Sequence, residues 1–430
     1  MKKRAYRSVS VKSVNVEELQ EELRTMGGKV GVDIGKDEFL VSLRYDDGSF
    51  ERPWRAKSRE EQRELVWVLK QLHQVRPLPI GMESTGTYGD ALRQALTDAG
   101  LDVRRVSSKA SSDYAEVFDG VSSQHDAKDA AVIAELVAIG KSRPWPWQTP
   151  SPADEELSQW VEWLDIHQQQ EVQWLGRLEA LLARYWPEAT TWLSLGRVTL
   201  LRTLAEYGGP AGLLGDKLAA KRMAKWGGPL LSPDTIAGLI QSARDTVGVR
   251  MSPLAQDQVK KYATQALRTK EEQRRAEAAL ARLAAKNQVI QAQATVVGLN
   301  TACVLWTTLG DVRDYDSGGA YRKAMGLNLK ERSSGRFQGQ LKITKRGPGR
   351  ARRWLYFAAM RECQKPAVKP WYESKKHREN NHGRKALVAI MRKLALALYQ
   401  VGARGAKYET RKLFPGGPLQ SCPPAPAASG

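Results

Sequence analysis

The stretch KVGVDIGKDEF, Lys29–Phe39, constrains the fold most, because it has the pattern of a buried strand with a carboxylate inside its apolar run. Successive side chains of a strand point to opposite faces, so one face is predicted to pack in a core and Asp33 to face the other way. The apolar face consists of Val30, Val32 and Ile34. Gly31 and Gly35 share the face of Asp33 and leave room there, as a ligand close to the backbone would need. We therefore expect a sheet that carries a functional acid.

The segments that follow predict an α/β layer. EFLVSLRYDDGSFERPW has the pattern of two strands joined by a turn at Asp46-Asp47-Gly48. The next segment is an amphipathic helix whose Ser58 and Glu61 form a capping box. Two further strands and two further helices alternate up to about residue 140. The order βββαβαβα with a leading hairpin predicts a ribonuclease-H-like layer rather than a plain Rossmann alternation.

Changes in composition predict five segments along the 430 residues. They are a loosely ordered basic arm with one short helix (1–28), the α/β domain (29–148), a helical arm (149–290), a mostly helical C-terminal domain (291–412) and a disordered tail (413–430). The fold class is therefore α/β plus α.

Two long helices are predicted in the helical arm, on either side of a small helical insertion, 187–256. Apolar residues of the first helix follow heptad a/d spacing: Leu157, Val161, Leu164, Leu175, Leu178 and Leu182. The second helix, 257–290, has one apolar face. The pair is typical of an antiparallel coiled coil or an oligomer interface, and an ordinary helical core is the alternative. The sequence leaves the role of the insertion open.

Four acids of the α/β domain are candidates for a metal site. Asp33 and Glu83 lie in two strands, opposite apolar neighbours. Asp126 and Asp129 are three residues apart at a helix start, so they share one face, although the helix dipole alone also favours acids there. Clustered carboxylates repel one another, and a divalent cation relieves the repulsion. Oxygen ligands suit Mg²⁺ or Mn²⁺, and two such ions can support attack on a phosphodiester.

The first strand also allows a rival interpretation, since VGVDIGK is similar to the first phosphate loop of actin-like and sugar kinases. Those proteins need a second phosphate loop of DxGGT type. The candidate is DSGGAY, Asp316–Tyr321, which follows no convincing strand. A kinase is therefore the weaker hypothesis.

A formal charge of +20 predicts a polyanionic partner, and nucleic acid is the first expectation. The charge is concentrated between Tyr321 and Arg361, where twelve Lys and Arg residues accompany one acid, Glu331. The candidate nucleic-acid-binding residues are Arg332, Arg336, Lys342, Lys345, Arg346, Arg350, Arg352 and Arg353. No apolar run approaches the roughly 18 residues of a membrane span, so we expect a cytoplasmic, nucleoid-associated protein.

Three stretches, GVDIGKDEFLVSL, MESTGTYGDALRQAL and HDAKDAAVIAEL, resemble the RuvC-like N-terminal domain of the DEDD transposases of the insertion-sequence-110 type. The segment that begins GLNTACVLWTTLGDVRDYDSGG resembles the C-terminal transposase domain of that family. The resemblance implies that Asp33, Glu83, Asp126 and Asp129 hold Mg²⁺. It also implies a serine nucleophile upstream of ITKRG, which the family spacing places at Ser333, with Ser334 adjacent.

The resemblance implies an RNA-guided recombinase that joins donor and target DNA through a phosphoserine intermediate. A structured noncoding bridge RNA would pair with both DNAs, and the protein would act as a homotetramer. Two other classes stay open. A metal-dependent nuclease or Holliday-junction resolvase would use the four acids with water as the nucleophile, and a nucleic-acid-binding protein would have no catalysis.

Overall fold

The computed structural model describes residues 7–84, 86–118, 126–331 and 341–415. The chain divides into two units, Met1–Thr149 and Pro150–Gly430. The first unit contains a large sheet, and the second is almost entirely helical. Each unit buries apolar clusters of its own.

The first unit alternates strands and helices. Its strands are β1 (Val9–Ser10), β2 (Gly28–Ile34), β3 (Phe39–Tyr45), β4 (Trp54–Ala56), β5 (Ile80–Glu83), β6 (Val103–Val106) and β7 (Ser142–Pro144). Its helices are α1 (Val16–Met26), α2 (Arg59–Val75), α3 (Asp90–Asp98), α4 (Ser108–Phe118) and α5 (Asp126–Ala138). The predicted capping box is confirmed, because the Ser58 side chain accepts from Glu61 N and the Glu61 side chain accepts from Ser58 N.

The seven strands form one mixed sheet in the order β1-β4-β3-β2-β5-β6-β7. The strands β2, β3 and β4 are antiparallel neighbours, whereas β5 and β6 run parallel to β2. Helices α1 to α3 cover one face of the sheet, and α4 and α5 cover the other. An antiparallel meander followed by parallel strands is compatible with the predicted ribonuclease-H-like layer.

Helix α5 lies directly on the backbone of two strands at a pair of glycines. Gly31 of β2 and Gly81 of β5 are register partners. A Cβ atom on Gly31 would lie 2.0 Å from the carbonyl oxygen of Ala130 and 2.4 Å from the nitrogen of Ala134, both in α5. The space beside Gly31 is therefore filled by a helix, and the prediction that it admits a ligand is wrong at this residue. Glycine is required here because the main chains of two elements meet.

The Gly31→Ala variant should be less stable than the wild-type protein by about 2–4 kcal/mol, because a backbone clash cannot be relieved by a rotamer change. Urea unfolding of the full chain measures the difference. Gly176→Ala is the matched control: it lies within a helix with no atom within 4 Å of the added Cβ. That control should gain about 0.5–1 kcal/mol. Equal stability of Gly31→Ala and wild type would contradict the close approach of α5.

The segment predicted as a loosely ordered arm, 1–28, is folded from residue 9 to residue 26. Strand β1 pairs in parallel with β4, and α1 has the bounds predicted for the short helix. The cause is apolar burial, since Val11, Leu19 and Leu23 are at most 5% exposed within the core of the sheet. The many basic residues at the start of the chain led to the prediction of a loosely ordered arm, and the burial of these three apolar residues was missed.

The second unit consists of fourteen α-helices and one two-stranded ribbon among its described residues. Before residue 290 the helices are α6 (Pro152–Tyr185), α7 (Ala189–Trp192), α8 (Val198–Tyr207), α9 (Pro210–Gly215), α10 (Ala219–Gly227), α11 (Pro233–Arg244) and α12 (Pro253–Ala284), after which α13 (Gln288–Val297) begins. The later elements are α14 (Leu299–Leu309), α15 (Gly318–Ala324), β8 (Leu329–Lys330), β9 (Lys342–Ile343), α16 (Gly349–Glu362), α17 (Lys369–Arg378), α18 (Gly383–Arg404) and α19 (Thr410–Leu413).

The two long helices, α6 and α12, pack against each other within the chain in antiparallel sense. Glu156 contacts Arg282 near one end of the pair, and Trp174 stacks on Tyr262 towards the other. One end of the pair joins the core of the C-terminal helices, and the other joins the core of α7 to α11. The second helix does not extend to residue 290 as predicted. It ends at Ala284, because Asn287 caps a new helix by accepting from two backbone N–H groups.

Helix α18 crosses the C-terminal core. It is the one helix among the described residues that is long and apolar enough to span a membrane, and 56% of its most apolar window is buried inside the protein. Core helices of soluble proteins have the same composition, so this finding is weak support for a span. Phe414, which falls in the predicted disordered tail, is 2% exposed and contacts Trp371. Residues 416–430 of that tail lie outside the described part of the chain.

Candidate functional site

Two acids lie side by side at the carboxyl ends of neighbouring parallel strands. The pairing of β2 with β5 runs as far as Val32 and Met82, so the next residues, Asp33 and Glu83, are adjacent across the sheet. Both side chains are partly exposed, whereas Val32 and Met82 are fully buried on the opposite face. The alternation of a strand therefore places both carboxylates on the face covered by α5.

Helix α5 brings two more acids to the same edge of the sheet. Asp126 and Asp129 lie in its first turn, three residues apart. One carboxylate oxygen from each of Asp33, Asp126 and Asp129 lies within 4.8 Å of the other two. We call these three residues the acid cluster. Glu83 is not part of it at that distance, although its charge acts on Asp33.

The acid cluster changes the protonation of its central member. Burial, followed by the negative charges of Asp129, Asp126 and Glu83, raises the pKa of Asp33 to about 7. Desolvation and like-charge repulsion both disfavour the ionised carboxylate. The cluster therefore holds an unfavourable density of negative charge near neutral pH, which a bound cation would relieve.

The Asp33→Asn variant should be more stable than the wild-type protein when no metal is present, and only above acidic pH. Because the folded pKa is raised, the contribution of Asp33 to stability is full below the unfolded pKa and is lost as pH rises to about 7. Asparagine removes that loss. We expect a gain of about 1–3 kcal/mol at about pH 8, reduced by partial solvent exposure, and almost none near pH 4.

Urea unfolding in EDTA across this pH range tests the expectation, and Asp113→Asn, an exposed acid of α4 paired with Lys109, is the matched control. Lower stability of Asp33→Asn at about pH 8 would show that the three acids are not crowded together.

The position of α5 over the sheet is fixed by charge as well as by the glycine contact. Arg44 of β3 forms an ion pair with Glu135 of α5, and both side chains are only 15% exposed.

Lys128, which the sequence analysis did not single out, is 2% exposed in the first turn of α5. A lysine in that turn is usually solvent-exposed, so its burial could not be inferred from sequence.

A second group of candidate residues lies in the C-terminal unit. Lys342, Lys345 and Arg346 are exposed and form no ion pair within the described ranges. Lys345 has a positive φ of 55°, a conformation that is costly for a residue with a side chain. Its backbone N–H donates to the carbonyl of Gly326 at 2.9 Å. Contact with the loop at Gly326 therefore holds Lys345 in this conformation.

Three other predicted nucleic-acid-binding arginines make contacts inside the chain. Arg350 and Arg353 of α16 both pair with Asp165 of α6, which is 5% exposed. The indole N–H of Trp354 donates to the same carboxylate at 2.9 Å. Arg352 donates to the backbone carbonyls of Met325 and Gly347. These arginines hold the start of α16 in place. Among the predicted nucleic-acid-binding residues that the structure describes, the exposed ones are Lys342, Lys345 and Arg346, which we call the exposed basic surface.

The predicted nucleophile, Ser333, and its neighbour Ser334 lie outside the described residues, as do Arg332 and Arg336. Their assignments stay predictions. The fold thus brings Asp33, Asp126 and Asp129 together, whereas the serine nucleophile is predicted from sequence resemblance alone.

Two family models match the chain. The model of the DEDD-type transposase of the IS110 group covers residues 30–187, which include the acid cluster and α6. The model of the Transposase IS116/IS110/IS902 family covers residues 292–373, which include α14, the exposed basic surface and α16. Together they span more than half of the chain. No curated protein matches it.

Proposed function

The chain belongs to the IS110-type transposase family, and from that premise we propose that it is an RNA-guided, metal-dependent recombinase that forms a phosphoserine link to DNA. Membership of the family establishes that the protein is a DNA transposase. The metal ion, the serine nucleophile and the guide RNA are the parts that we propose. The main structural support for the proposal is the acid cluster, whose three carboxylates approach within 4.8 Å.

The ligand set of the acid cluster fits a hard divalent cation. Its donors are carboxylate oxygens, which Mg²⁺ and Mn²⁺ prefer, and the raised pKa of Asp33 indicates an excess of negative charge. Asp33, Asp126 and Asp129 would hold the cation, with Glu83 as the fourth ligand. A cation held there would lower the pKa of an attacking hydroxyl and offset charge on the phosphate.

Ser333 is proposed to supply that hydroxyl. Its oxygen attacks the phosphorus, a bond from phosphorus to a deoxyribose oxygen breaks, and the released deoxyribose oxygen takes up a proton. The protein is then esterified to one DNA end. The reverse attack by a hydroxyl of another strand restores serine and joins new partners. Because each step exchanges one phosphate ester for another, no nucleotide cofactor is needed.

Lys342, Lys345 and Arg346 are proposed to bind the phosphate backbone of DNA or of the bridge RNA. They are exposed and positively charged, and phosphate contacts dominate the affinity of nucleic-acid-binding proteins. The formal charge of +20 suits a protein that holds several duplexes. A homotetramer is proposed as the active form. In support, α6 exposes apolar side chains that a second copy could cover: Trp163, Ile166 and Val172.

The second candidate function is a nuclease or junction resolvase that uses water in place of serine. One observation favours it: the acid cluster is formed entirely by residues of the first unit. The two candidates differ in whether protein becomes covalently attached to DNA.

Strand joining in the presence and absence of metal tests the proposal. The full-length protein is mixed with donor and target DNA duplexes and with RNA transcribed from the DNA that flanks its gene. Joined product should form with Mg²⁺, disappear with EDTA, and return when Mg²⁺ is restored in excess. Product that needs no RNA would refute guidance, and product that persists in EDTA would refute the metal assignment.

The Lys345→Gly variant should bind nucleic acid roughly three- to tenfold more weakly without loss of stability. Glycine adopts a positive φ freely, whereas alanine does not. The free energy of unfolding of Lys345→Gly should therefore exceed that of Lys345→Ala by about 1 kcal/mol. Fluorescence anisotropy with labelled DNA and urea unfolding measure the two effects. Lys345→Ala removes the same charge but keeps the unfavourable φ, so it should lose affinity to the same degree. Unchanged affinity in both variants would remove Lys345 from the binding surface.

A further inference from the structure

Two arginines face each other across the contact between α15 and α18. A Cβ atom on Gly318 of α15 would lie 3.2 Å from Leu396 and 3.4 Å from Tyr399, both of α18. Arg322 lies one turn after Gly318, and Arg392 lies one turn before Leu396. Since residues four apart share a helix face, an antiparallel contact brings these two side chains together. We call Arg322 and Arg392 the arginine pair.

Neither member of the arginine pair has a partner for its buried donor. The Nε atom of each is inaccessible to solvent and donates no hydrogen bond within the described residues. No carboxylate of that part of the chain forms an ion pair with either guanidinium. Burial, and then the charge of Arg322, lowers the pKa of Arg392. Buried donors without acceptors and adjacent like charges both cost free energy.

Other arginines of the same unit show how the fold normally satisfies such groups. Arg353 pairs with Asp165, and Arg361 donates to the backbone carbonyl of Val297 and to the hydroxyl of Thr301. The arginine pair therefore differs from these arginines of the second unit; in the first unit, Arg93 also has a buried Nε without a hydrogen-bond partner, but its guanidinium lies over the rings of Trp145 and Trp147. Both arginines are partly exposed as residues, so an external anion that accepts several hydrogen bonds could approach the two guanidinium groups and offset their repulsion.

We propose that the arginine pair binds a phosphodiester group of nucleic acid. Two guanidinium groups present planar, forked donors that match phosphate oxygens. The site adjoins the exposed basic surface, because the loop after α15 accepts hydrogen bonds at Gly326 and Asn328 from the backbone of Lys345 and Thr344. A strand bound at Lys345 and Arg346 would pass this loop, which begins directly after the turn of Arg322, because the backbone N–H of Leu327 donates to the carbonyl of Arg322 at 3.2 Å. The inference rests on the proposed function, which supplies the nucleic acid.

Methionine substitutions test the site, because methionine keeps an apolar stem and removes the donors. Arg322→Met and Arg392→Met should each weaken nucleic-acid binding roughly tenfold and reduce the slope of log affinity against log salt by about 0.9 for duplex DNA. Each should also raise the melting temperature of the free protein by roughly 1–4 °C, because an unsatisfied donor and a repulsion are removed. Lys323→Met is the matched control, since Lys323 is an exposed cation of the same helix.

Anisotropy titrations of the full-length protein use two probes, a labelled DNA duplex and a labelled RNA hairpin, so that the source of the phosphate is identified. Weaker binding to one probe alone, with a raised melting temperature, assigns the pair to that nucleic acid. Affinity equal to that of Lys323→Met on both probes overturns the site. A lower melting temperature also overturns it, because that result marks the pair as structural.

The strand-joining assay separates this inference from the proposed function. If the wild-type protein joins strands and the methionine variants bind both probes normally, only the arginine pair is refuted. If the wild-type protein binds neither probe and joins no strands, the proposed function fails as well.

Discussion

We expect the Asp129→Asn variant to join DNA strands more slowly than the wild-type protein by roughly a thousandfold or more, because the proposed cation would lose a carboxylate ligand at the reacting phosphate. Asp129 is in the acid cluster, with an oxygen within 4.8 Å of those of Asp33 and Asp126. Asparagine keeps the size of the side chain, so the fold should be retained. The measurement is the initial rate of joined product in saturating Mg²⁺, with circular dichroism as the check on folding.

Two further variants define the limits of the site. Asp113→Asn removes one negative charge from an exposed position of α4 and should join strands at the wild-type rate. Glu83→Gln should be as inactive as Asp129→Asn if Glu83 is the fourth ligand. Near-normal activity of Glu83→Gln would restrict the ligand set to the acid cluster, and near-normal activity of Asp129→Asn would refute the metal centre altogether.

The Ser333→Ala variant should form no covalent protein–DNA product and lose strand joining by roughly ten-thousandfold, because the oxygen proposed to attack the phosphate would be absent. Denaturing gel electrophoresis with labelled DNA detects the adduct as a band of reduced mobility. Binding of Mg²⁺ should be unchanged, since Asp33, Asp126 and Asp129 remain. Loss of adduct with intact metal binding would separate the nucleophile from the metal ligands.

Ser334→Ala is the control that resolves the register of the serine loop. It should retain the adduct, and the reverse result would move the nucleophile by one residue. If Ser333→Ala still cuts DNA with Mg²⁺ and wild type forms no adduct, water is the nucleophile and the protein is a nuclease or resolvase.

Much of the N-terminal unit could be predicted because its signals are local. Alternation in β2 and β5 placed Asp33 and Glu83 on one face, and spacing in α5 placed Asp126 beside Asp129. The structure then brings Asp33, Asp126 and Asp129 together. Caps and turns are local as well, and Ser58 and Gly48 have the predicted roles.

The remaining features depend on contacts between distant segments, which no local pattern encodes. The environment of Gly31 depends on which helix crosses the strand, so a helix contact could not be distinguished from space for a ligand. Arg353 has the composition of a nucleic-acid contact, yet its partner is Asp165, far away in the sequence. The pairing of Arg322 with Arg392 likewise appears only when α15 packs on α18.

The glycine contact beneath α5 has a consequence for how this protein can change over time. At Gly31 main-chain atoms of α5 meet the main chain of β2, so the separation between this strand and the helix is set largely by atoms that mutation cannot resize. At Gly81 of β5 the helix approaches through the side chains of Ile133 and Val137. Substitutions among the apolar residues on the other face of the sheet should therefore change the distances between the carboxylates little. The core of this domain can accumulate substitutions, or be redesigned for thermal stability, without altering the acid cluster, provided that both glycines are kept.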